Sequence, residues 1–273
     1  MPIDVAAEVT ANRPLSADYN VLTLAAPAIA AASAPGQFVM VKIGSSHDPL
    51  LRRPFSVFEV IRTADGAPIG ITLLNKRIGP TTSLVYNARP GQIAACLGPL
   101  GRPFTVVDAP DEAWMVAGGV GLAPFAALAE SLRAKRVTCT LFYGARRGDE
   151  LFYLDFFEAL GVELVLTTED GSAGERGRVI APLERRLAER RSAAGAPPVM
   201  LYACGPEGML AATASTAARF DCRCEVSVER IMGCGLGGCY SCVVPMLGGD
   251  GKFHHMRSCL AGPVLAADQI RWG

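Results

Sequence analysis

The fold of this chain is decided by the stretch Met115-Val116-Ala117-Gly118-Gly119-Val120-Gly121-Leu122-Ala123-Pro124. A short apolar run enters a cluster of glycines, and Pro124 then stands where a helix can start. A strand that turns through glycine into a helix resembles a dinucleotide-binding turn, although the full G-x-G-x-x-G spacing is missing. The same residues can also form a tight connection that binds nothing.

Downstream of this turn, strand-like and helix-like segments alternate, which favours crossover units and a parallel sheet covered on both faces. Ligands of such sheets bind at the carboxyl ends of strands, here Gly144-Ala145-Arg146 and Cys204-Gly205-Pro206. We therefore expect a nucleotide-binding α/β domain over residues 104–228. The predicted strands are 113–117, 137–143, 163–168, 199–203 and 224–228, and the predicted helices are 124–133, 151–160, 179–193 and 207–218.

Upstream of the turn, short strands without a long helix predict a small antiparallel β-barrel over residues 1–103. The predicted strands are 5–10, 19–25, 38–43, 56–62, 69–74 and 92–96. We expect the alanine-rich segment 25–34 to be a loop because it contains Pro27, and one or two helical turns at 82–88. Residues 98–111, rich in proline and glycine, form the predicted connector between the two domains.

The last 45 residues, 229–273, are rich in glycine and cysteine and predict a third, small module. Cys234, Cys239, Cys242 and Cys259 form the pattern C-x4-C-x2-C-x16-C, whose first three members match the plant-type spacing for a 2Fe-2S cluster. Thiolates select iron–sulfur clusters or zinc, and the interspersed glycines let backbone amides point at the sulfurs. Structural zinc is the alternative, although zinc sites more often contain C-x2-C pairs.

Two histidines and five further cysteines accompany this cluster. A Rieske centre needs two histidine ligands in place of two cysteines, so we expect His254 and His255 to be surface residues. The remaining cysteines are expected to be small core residues. They are Cys96, Cys139, Cys204, Cys222 and Cys224.

The barrel segment contains two candidate binding motifs. In Arg53-Pro54-Phe55-Ser56, the guanidinium can pair with a phosphate, the aromatic ring can lie beside a flat ring and the hydroxyl can donate to it. An arginine at a strand end can equally be solvated. In the second motif, Leu74-Asn75-Lys76 ends a strand and Gly79-Pro80-Thr81-Thr82 opens a helix whose free amides suit a pyrophosphate. A threonine N-cap explains the same residues without a ligand.

Composition excludes several classes of partner. Among 273 residues, 26 Lys and Arg balance 26 Asp and Glu, so no basic excess is present to neutralise a nucleic acid. Low charge suits a subunit that buries surface against a partner. An odd number of cysteines, nine, is a poor disulfide scaffold, and neither a secretory signal nor a membrane span is evident. We therefore expect a cytoplasmic protein whose thiols stay reduced.

Taken in chain order, these motifs resemble those of the ferredoxin–NAD(P)+ reductase superfamily. They are Arg53-Pro54-Phe55-Ser56, Gly98-Pro99-Leu100-Gly101, residues 118–124, Tyr143-Gly144-Ala145-Arg146 and Cys204-Gly205-Pro206. With the cysteine spacing, residues 149–155 and the tail 259–264 added, the chain is similar to the electron-transfer subunits of class 1B dihydroorotate dehydrogenase over nearly its whole length.

The resemblance implies a set of ligand contacts. FAD would lie in the barrel domain, with Arg53 and Ser56 at its phosphate and flavin and Phe55 against the isoalloxazine. Leu74, Asn75 and Lys76 would line it. The pyrophosphate would lie at Thr81-Thr82, after Gly79, where the family has Gly-Thr. NAD(H) would be held by Gly118, Gly119, Gly121, Pro124, Gly205 and Pro206. Cys204 would lie near the nicotinamide, or be a buried thiol without a part in hydride transfer. The four cysteines would hold the 2Fe-2S cluster.

The implied function is electron transfer from NADH through FAD and the cluster to a catalytic partner. That partner would be an FMN-containing dihydroorotate dehydrogenase of pyrimidine biosynthesis, in a hetero-oligomer. The alternatives are a reductase that serves a hydrogenase, a ferredoxin or another redox enzyme, and a zinc-stabilised nucleotide-binding module without enzymatic activity. Arg146 and Arg147 can accept the 2′-phosphate of NADP, whereas Asp149 and Glu150 favour the free ribose of NAD; the resemblance favours NAD.

Overall fold

The computed structural model describes residues 1–44, 48–193 and 195–273. The first third of the chain forms a seven-stranded, wholly antiparallel sheet in the order β4-β3-β7-β1-β2-β6-β5. The strands are β1 (Ile3–Pro14), β2 (Tyr19–Ala25), β3 (Phe38–Ile43), β4 (Arg53–Ser56), β5 (Glu59–Arg62), β6 (Pro68–Lys76) and β7 (Ile93–Leu100).

This sheet curls into the predicted barrel because the chain crosses from one of its edges to the other between β4 and β5. The amide of Val57 donates to the Gln37 carbonyl beside β3 at 3.0 Å, and the amide of Phe58 donates to the Thr72 carbonyl of β6 at 2.9 Å. The single predicted strand 56–62 is therefore wrong, since it is two strands on opposite edges. Val57 and Phe58 are both buried, which breaks the in-and-out alternation of a continuous strand.

Two short helices, α1 (Pro27–Ala32) and α2 (Pro80–Tyr86), accompany the barrel. The loop expected at 25–34 is wrong, because Pro27 stands at the first helical turn, where its missing amide costs nothing. Ile29 and Ala30 of α1 are buried and α1 packs on β6, so tertiary contacts stabilise a helix that alanine already favours. The helical turns expected at 82–88 are present two residues earlier.

From residue 112 to residue 227, strands and helices alternate largely as predicted, and further elements follow. The strands are β8 (Glu112–Gly118), β9 (Thr138–Ala145), β10 (Glu163–Thr168), β11 (Glu175–Arg176), β12 (Val199–Cys204), β13 (Arg223–Ser227), β14 (Val243–Leu247), β15 (Phe253–Arg257) and β16 (Val264–Ala266). The helices are α3 (Phe125–Ala134), α4 (Leu154–Ala159), α5 (Ile180–Arg191), α6 (Glu207–Arg219) and α7 (Ser258–Ala261).

The second sheet has the order β11-β10-β9-β8-β12-β13-β16, and all its neighbours are parallel except β13 and β16. Helices α3 and α4 bury Phe125 and Phe157 on one face, while α5 and α6 bury Leu183 and Leu210 on the other. The predicted parallel sheet covered on both faces is confirmed. Strand order reverses between β8 and β12, which places a ligand crevice at their carboxyl ends.

Helix α4 is shorter than the predicted 151–160. Tyr153 has a left-handed backbone with φ of 62°, so the helix can begin only at Leu154. Residues Gly148–Glu150 form a separate 3-10 turn. Within the described ranges, no helix combines the length and apolar character required to span a bilayer.

The C-terminal segment contains elements that the sequence did not predict. Strands β14 and β15 form an antiparallel hairpin, and β16 pairs antiparallel with β13, with Ser227 opposite Val264. The cysteine loop, residues 229–261, packs on the barrel through one shared apolar cluster. Its members are Phe38, Met40, Leu97, Leu100, Met232, Cys242 and Cys259.

Candidate functional site

The structure brings the glycine turn after β8 and the strand end of β12 together at the point where strand order reverses. A Cβ on Gly121 would collide with the carbonyl oxygen of Cys204, and one on Gly205 would come within 3.1 Å of the Gly118 Cα. A Cβ on Gly118 would meet the Met209 sulfur at 2.8 Å. The two backbones therefore pack directly on each other, with the Met209 side chain beside Gly118. They do so at the edge of the sheet where a dinucleotide binds in folds of this type.

Two further predicted residues border this crevice. Pro124 is the N-cap residue of α3, immediately after the glycine turn. Cys204 is the last residue of β12, and burial raises the pKa of its thiol to about 12. The group is therefore a neutral thiol at physiological pH and is suited neither to nucleophilic nor to base chemistry.

The barrel contributes an aromatic side chain, Tyr19, to this crevice, which the sequence analysis did not predict. Gly119 has φ of +55°, and the atom nearest to its Cβ position is the hydroxyl oxygen of Tyr19, at 3.6 Å. The Tyr19 ring packs against Phe152 with centroids 4.9 Å apart, and the Lys76 Nζ lies 5.0 Å from the Tyr19 centroid. The buried Tyr19 hydroxyl has no hydrogen-bond partner among the residues that the structure describes. The crevice thus lies between the two sheets.

The predicted motif at the end of β6 is tied to α2 by buried amides. Asn75 donates through Nδ2 to the Asn20 Oδ1 at 2.7 Å and to the Thr82 carbonyl at 3.0 Å. Its Oδ1 is buried and, within the described part of the chain, lacks a partner. Since a buried polar atom is normally hydrogen-bonded, this orphaned acceptor is a place where a ligand donor fits.

The start of α2 differs from the expected threonine N-cap. The N-cap residue is Gly79, not a threonine. The Thr82 hydroxyl reaches back and accepts hydrogen bonds from the amides of Ile78 and Gly79, each at 2.9 Å. Thr81 is buried. The Thr82 side chain is therefore occupied in capping the helix, which leaves the backbone amides of its first turn as candidate donors to a phosphate.

The Arg53–Ser56 motif forms β4, which contacts β6, the strand that ends in the Leu74-Asn75-Lys76 motif. Arg53, Pro54 and Ser56 are half-buried. Phe55 packs in the barrel core and is only 9% exposed. That its ring contacts a flat cofactor stays a prediction.

A depression of about 390 Å³ lies at the carboxyl ends of β9 and β10 and is lined by Arg147, Asp149 and Asp170, among others. The Arg147 guanidinium is 3.1 Å from the Asp149 carboxylate. The Glu150 carboxylate accepts from the Arg146 amide at 3.3 Å. Carboxylates thus accompany the arginines predicted to bind a 2′-phosphate.

The four cysteines of the C-terminal motif lie close together in two pairs. The Cys234 and Cys239 thiols are neighbours on the more exposed side, and the buried Cys242 and Cys259 thiols are likewise neighbours. Among the described residues, no three or more His, Cys, Asp or Glu side chains converge as ligands for one metal ion. Two thiol pairs instead suit a two-iron cluster, in which each iron takes two protein ligands.

Hydrogen bonds reach both sulfurs of the exposed pair. The Leu236 amide donates to the Cys234 sulfur at 3.3 Å, and the Ser241 hydroxyl lies 3.1 Å from the Cys239 sulfur. Chiefly because of Ser241, the pKa of Cys239 falls to about 6. His254 and His255 lie on β15 with exposed side chains, and His254 pairs with Asp250 at 2.9 Å, so neither belongs to this set.

Comparison with solved structures identifies the class of fold. The structure of an NADH-dependent reduced ferredoxin–NADP oxidoreductase superimposes with a TM-score of 0.81 and 25% identity, covering 98% of this chain and 90% of that one. A ferredoxin NADP+ reductase from Neisseria gonorrhoeae with bound FAD and NADP gives a TM-score of 0.63 at 18% identity, covering 80% of this chain and 91% of that one. The barrel and the parallel sheet together form a ferredoxin reductase-like fold.

Sequence comparison then gives the family. Residues 115–215 match the oxidoreductase NAD-binding domain, and residues 229–271 match the iron-sulfur cluster binding domain of dihydroorotate dehydrogenase B. The dihydroorotate dehydrogenase B (NAD(+)) electron transfer subunit of Desulforamulus reducens is 36% identical over 90% of both chains. That of Bacillus caldolyticus is 36% identical over 91% of both. The chain belongs to the family of dihydroorotate dehydrogenase B electron transfer subunits.

Proposed function

We propose that this protein oxidises NADH and passes the electrons through FAD and a 2Fe-2S cluster to a dihydroorotate dehydrogenase catalytic subunit in pyrimidine biosynthesis. The observation that carries the proposal is the paired arrangement of Cys234 with Cys239 and of Cys242 with Cys259 on a loop packed against the barrel. A four-thiolate site on a reductase fold provides for single-electron exit from a dinucleotide-binding protein.

The barrel, residues 1–103, is proposed to hold FAD. Arg53 and Ser56 bind its phosphate and flavin, and the backbone at Thr81-Thr82, after Gly79, binds its pyrophosphate. The strand end Leu74-Asn75-Lys76 lines the flavin, and the orphaned Asn75 Oδ1 offers it an acceptor. Phe55 contributes the exposed edge of its ring.

The α/β domain, residues 104–228, is proposed to hold NAD(H) in the crevice between the two sheets. Close packing at Gly118, Gly121 and Gly205 brings the glycine turn and the end of β12 together, and we propose that the nucleotide binds along this edge. The crevice is bordered by Gly119, Pro124 and Pro206. Cys204 contacts the nicotinamide as a neutral thiol, so it positions the ring and does not exchange a proton with it.

When bound, the flavin and the cluster supply the chemistry: two-electron uptake from NADH and release of single electrons. The chain's task is to bind and orient these groups. The module 229–273 fixes the four thiol ligands next to Met40 and Leu100 of the barrel and keeps Cys242 and Cys259 away from water. Hydride transfer from NADH would bring a proton and two electrons to the flavin together, so this step needs no acid–base pair among the described residues. When the electrons then left one at a time, the proton would be released to solvent.

The partner is proposed to be an FMN-containing catalytic subunit in a hetero-oligomer, as the relatives' name "electron transfer subunit" indicates. We further propose that the protein works in the cytoplasm. All nine cysteines lie in the described part of the chain and are free thiols, which persist in a reducing compartment.

The proposal is tested by purifying the protein natively, identifying its partner by mass spectrometry and measuring flavin and metal. We expect a dihydroorotate dehydrogenase partner, one FAD and two irons per chain, and faster reduction by NADH than by NADPH. A colourless, zinc-containing protein would overturn the redox function.

A second candidate is a reductase subunit that exchanges electrons with another acceptor, such as a ferredoxin. It is favoured by the TM-score of 0.81 to the NADH-dependent reduced ferredoxin–NADP oxidoreductase. Co-purification with a ferredoxin-linked subunit, and NADH-driven reduction of ferredoxin but not of orotate by the isolated complex, would support this candidate over the first.

A further inference from the structure

Ser241 stands between the second and third cysteines of the loop and contacts the first pair of thiols. Its Oγ lies 3.1 Å from the Cys239 sulfur and accepts a hydrogen bond from the Gly233 amide at 3.0 Å. A Cβ on Gly233 would lie 3.3 Å from the Cys239 sulfur, so the glycine lets these three groups come together. The result is a continuous hydrogen-bonded chain from Gly233 through Ser241 to Cys239.

The direction of the second hydrogen bond follows from the chemistry of a ligated cysteine. A cysteine that binds iron is a thiolate and has no proton to donate. The Gly233 amide already donates to the Ser241 oxygen, so the hydroxyl hydrogen is free to point at sulfur. With the cluster in place, Ser241 therefore donates and Cys239 accepts.

The second pair of thiols lacks an equivalent contact. Ser258 also directly precedes a cysteine of the motif, Cys259, but its buried hydroxyl has no partner among the described residues. Cys242 and Cys259 are 1% and 2% exposed, whereas Cys239 is exposed. Among the residues that the structure describes, hydrogen-bond donation from a hydroxyl is therefore found only at the exposed pair.

We propose that Ser241 is a positioning residue that raises the reduction potential of the cluster by donating a hydrogen bond to the Cys239 thiolate. This inference rests on the proposed 2Fe-2S site. Adding an electron increases the negative charge on the ligand sulfurs, so a donor stabilises the reduced form more than the oxidised form. Ser241 thereby makes the cluster a better electron acceptor for the flavin.

The test is a redox titration of the loaded protein, followed by electron paramagnetic resonance of the reduced cluster. We expect Ser241→Ala to shift the equilibrium about tenfold toward the oxidised cluster, equivalent to about 59 mV for a one-electron couple. Ser241→Thr keeps the hydroxyl and is expected to stay close to the unsubstituted protein. Ser258→Ala, the matched control, removes a hydroxyl that makes no hydrogen bond to a described sulfur and is expected to leave the potential unchanged.

An unchanged potential in a fully loaded Ser241→Ala protein, or an equal shift in Ser258→Ala, would overturn the inference. Loss of iron and of the resonance signal in the unsubstituted protein would instead contradict the proposed cluster itself. If Ser241→Ala does not assemble a cluster, the inference is tested on the unsubstituted protein by pulsed electron paramagnetic resonance in D2O, which detects exchangeable protons close to the cluster. A strongly coupled, rapidly exchanging proton is expected there, and its absence would overturn the inference.

Discussion

The glycine turn after β8 and the cysteine loop both depend on glycines at close approaches, but they are held in different ways. At the turn, Gly121 faces the Cys204 carbonyl of a buried parallel strand. In the loop, Gly233 faces the ends of the Cys239 and Ser241 side chains, which are exposed. The turn is therefore preformed by a rigid sheet, whereas the loop has few buried contacts of its own and depends on its thiol ligands.

Among the changes that test this difference, Gly121→Ala is expected to destabilise the protein most. The new Cβ would collide with backbone atoms of Cys204, which cannot move without displacing β12, so the free energy of unfolding should fall by about 3 kcal/mol or more. Urea unfolding measures this loss. Gly208→Ala is the matched control, because nothing lies near its Cβ position within α6, and it should stabilise the protein by up to about 1 kcal/mol. A tolerated Gly121→Ala would show that the turn is not rigid.

Removal of the cluster is expected to unfold the cysteine loop locally. This effect should be smaller than that of Gly121→Ala and larger than that of Gly233→Ala. Without its metal the cysteine loop is held on the barrel mainly by the apolar contacts of Met232, Cys242 and Cys259. Limited proteolysis after treatment with chelator and reductant should cut between residues 229 and 261, while the barrel and the parallel sheet stay intact. Early cuts inside β8 or β12 would mean that the metal supports the whole fold. They would contradict the proposed difference between the rigid glycine turn and the metal-dependent cysteine loop.

The smallest effect is expected for Gly233→Ala. Its Cβ would lie 3.3 Å from the Cys239 sulfur and 3.6 Å from the Ser241 oxygen, and both are side-chain atoms that can yield slightly. Iron content should remain near that of the unsubstituted protein, with the free energy of unfolding lowered by less than about 1 kcal/mol. Gly238→Ala has open space around its Cβ and serves as the control. Complete loss of iron from Gly233→Ala alone would show that the loop is as tightly packed as the turn.

Strand and helix periodicity predicted much of the fold. The strands at 19–25, 38–43 and 163–168 have the predicted bounds, because alternation or a short apolar run marks them clearly. The crossing at Val57 and Phe58 was missed, since two consecutive buried residues look like a continuous strand until both sheet edges are known. Helix α1 was missed because Pro27 reads as a helix breaker unless its position in the first turn is known.

The residues of the candidate site also fall into two groups, those that the sequence predicted and those that it did not. The four cysteines, the glycine turn and the strand ends were found from spacing, because their residue types reveal their chemistry. Tyr19, Phe152 and Ser241 carry no such local signal. Tyr19 meets Gly119 only because the two sheets face each other, and the spacing of the cysteines gives no indication that Ser241 contacts one of them.

The sequence by itself determined the ligand chemistry, the antiparallel barrel and the parallel sheet, since residue type and periodicity are local properties. Only the tertiary structure decided how the barrel closes, that β16 joins β13, and that the cysteines form an exposed and a buried pair. These features depend on contacts between residues far apart in the chain. They are set by the packing of whole elements and by the burial of apolar surface, which no short stretch of sequence encodes.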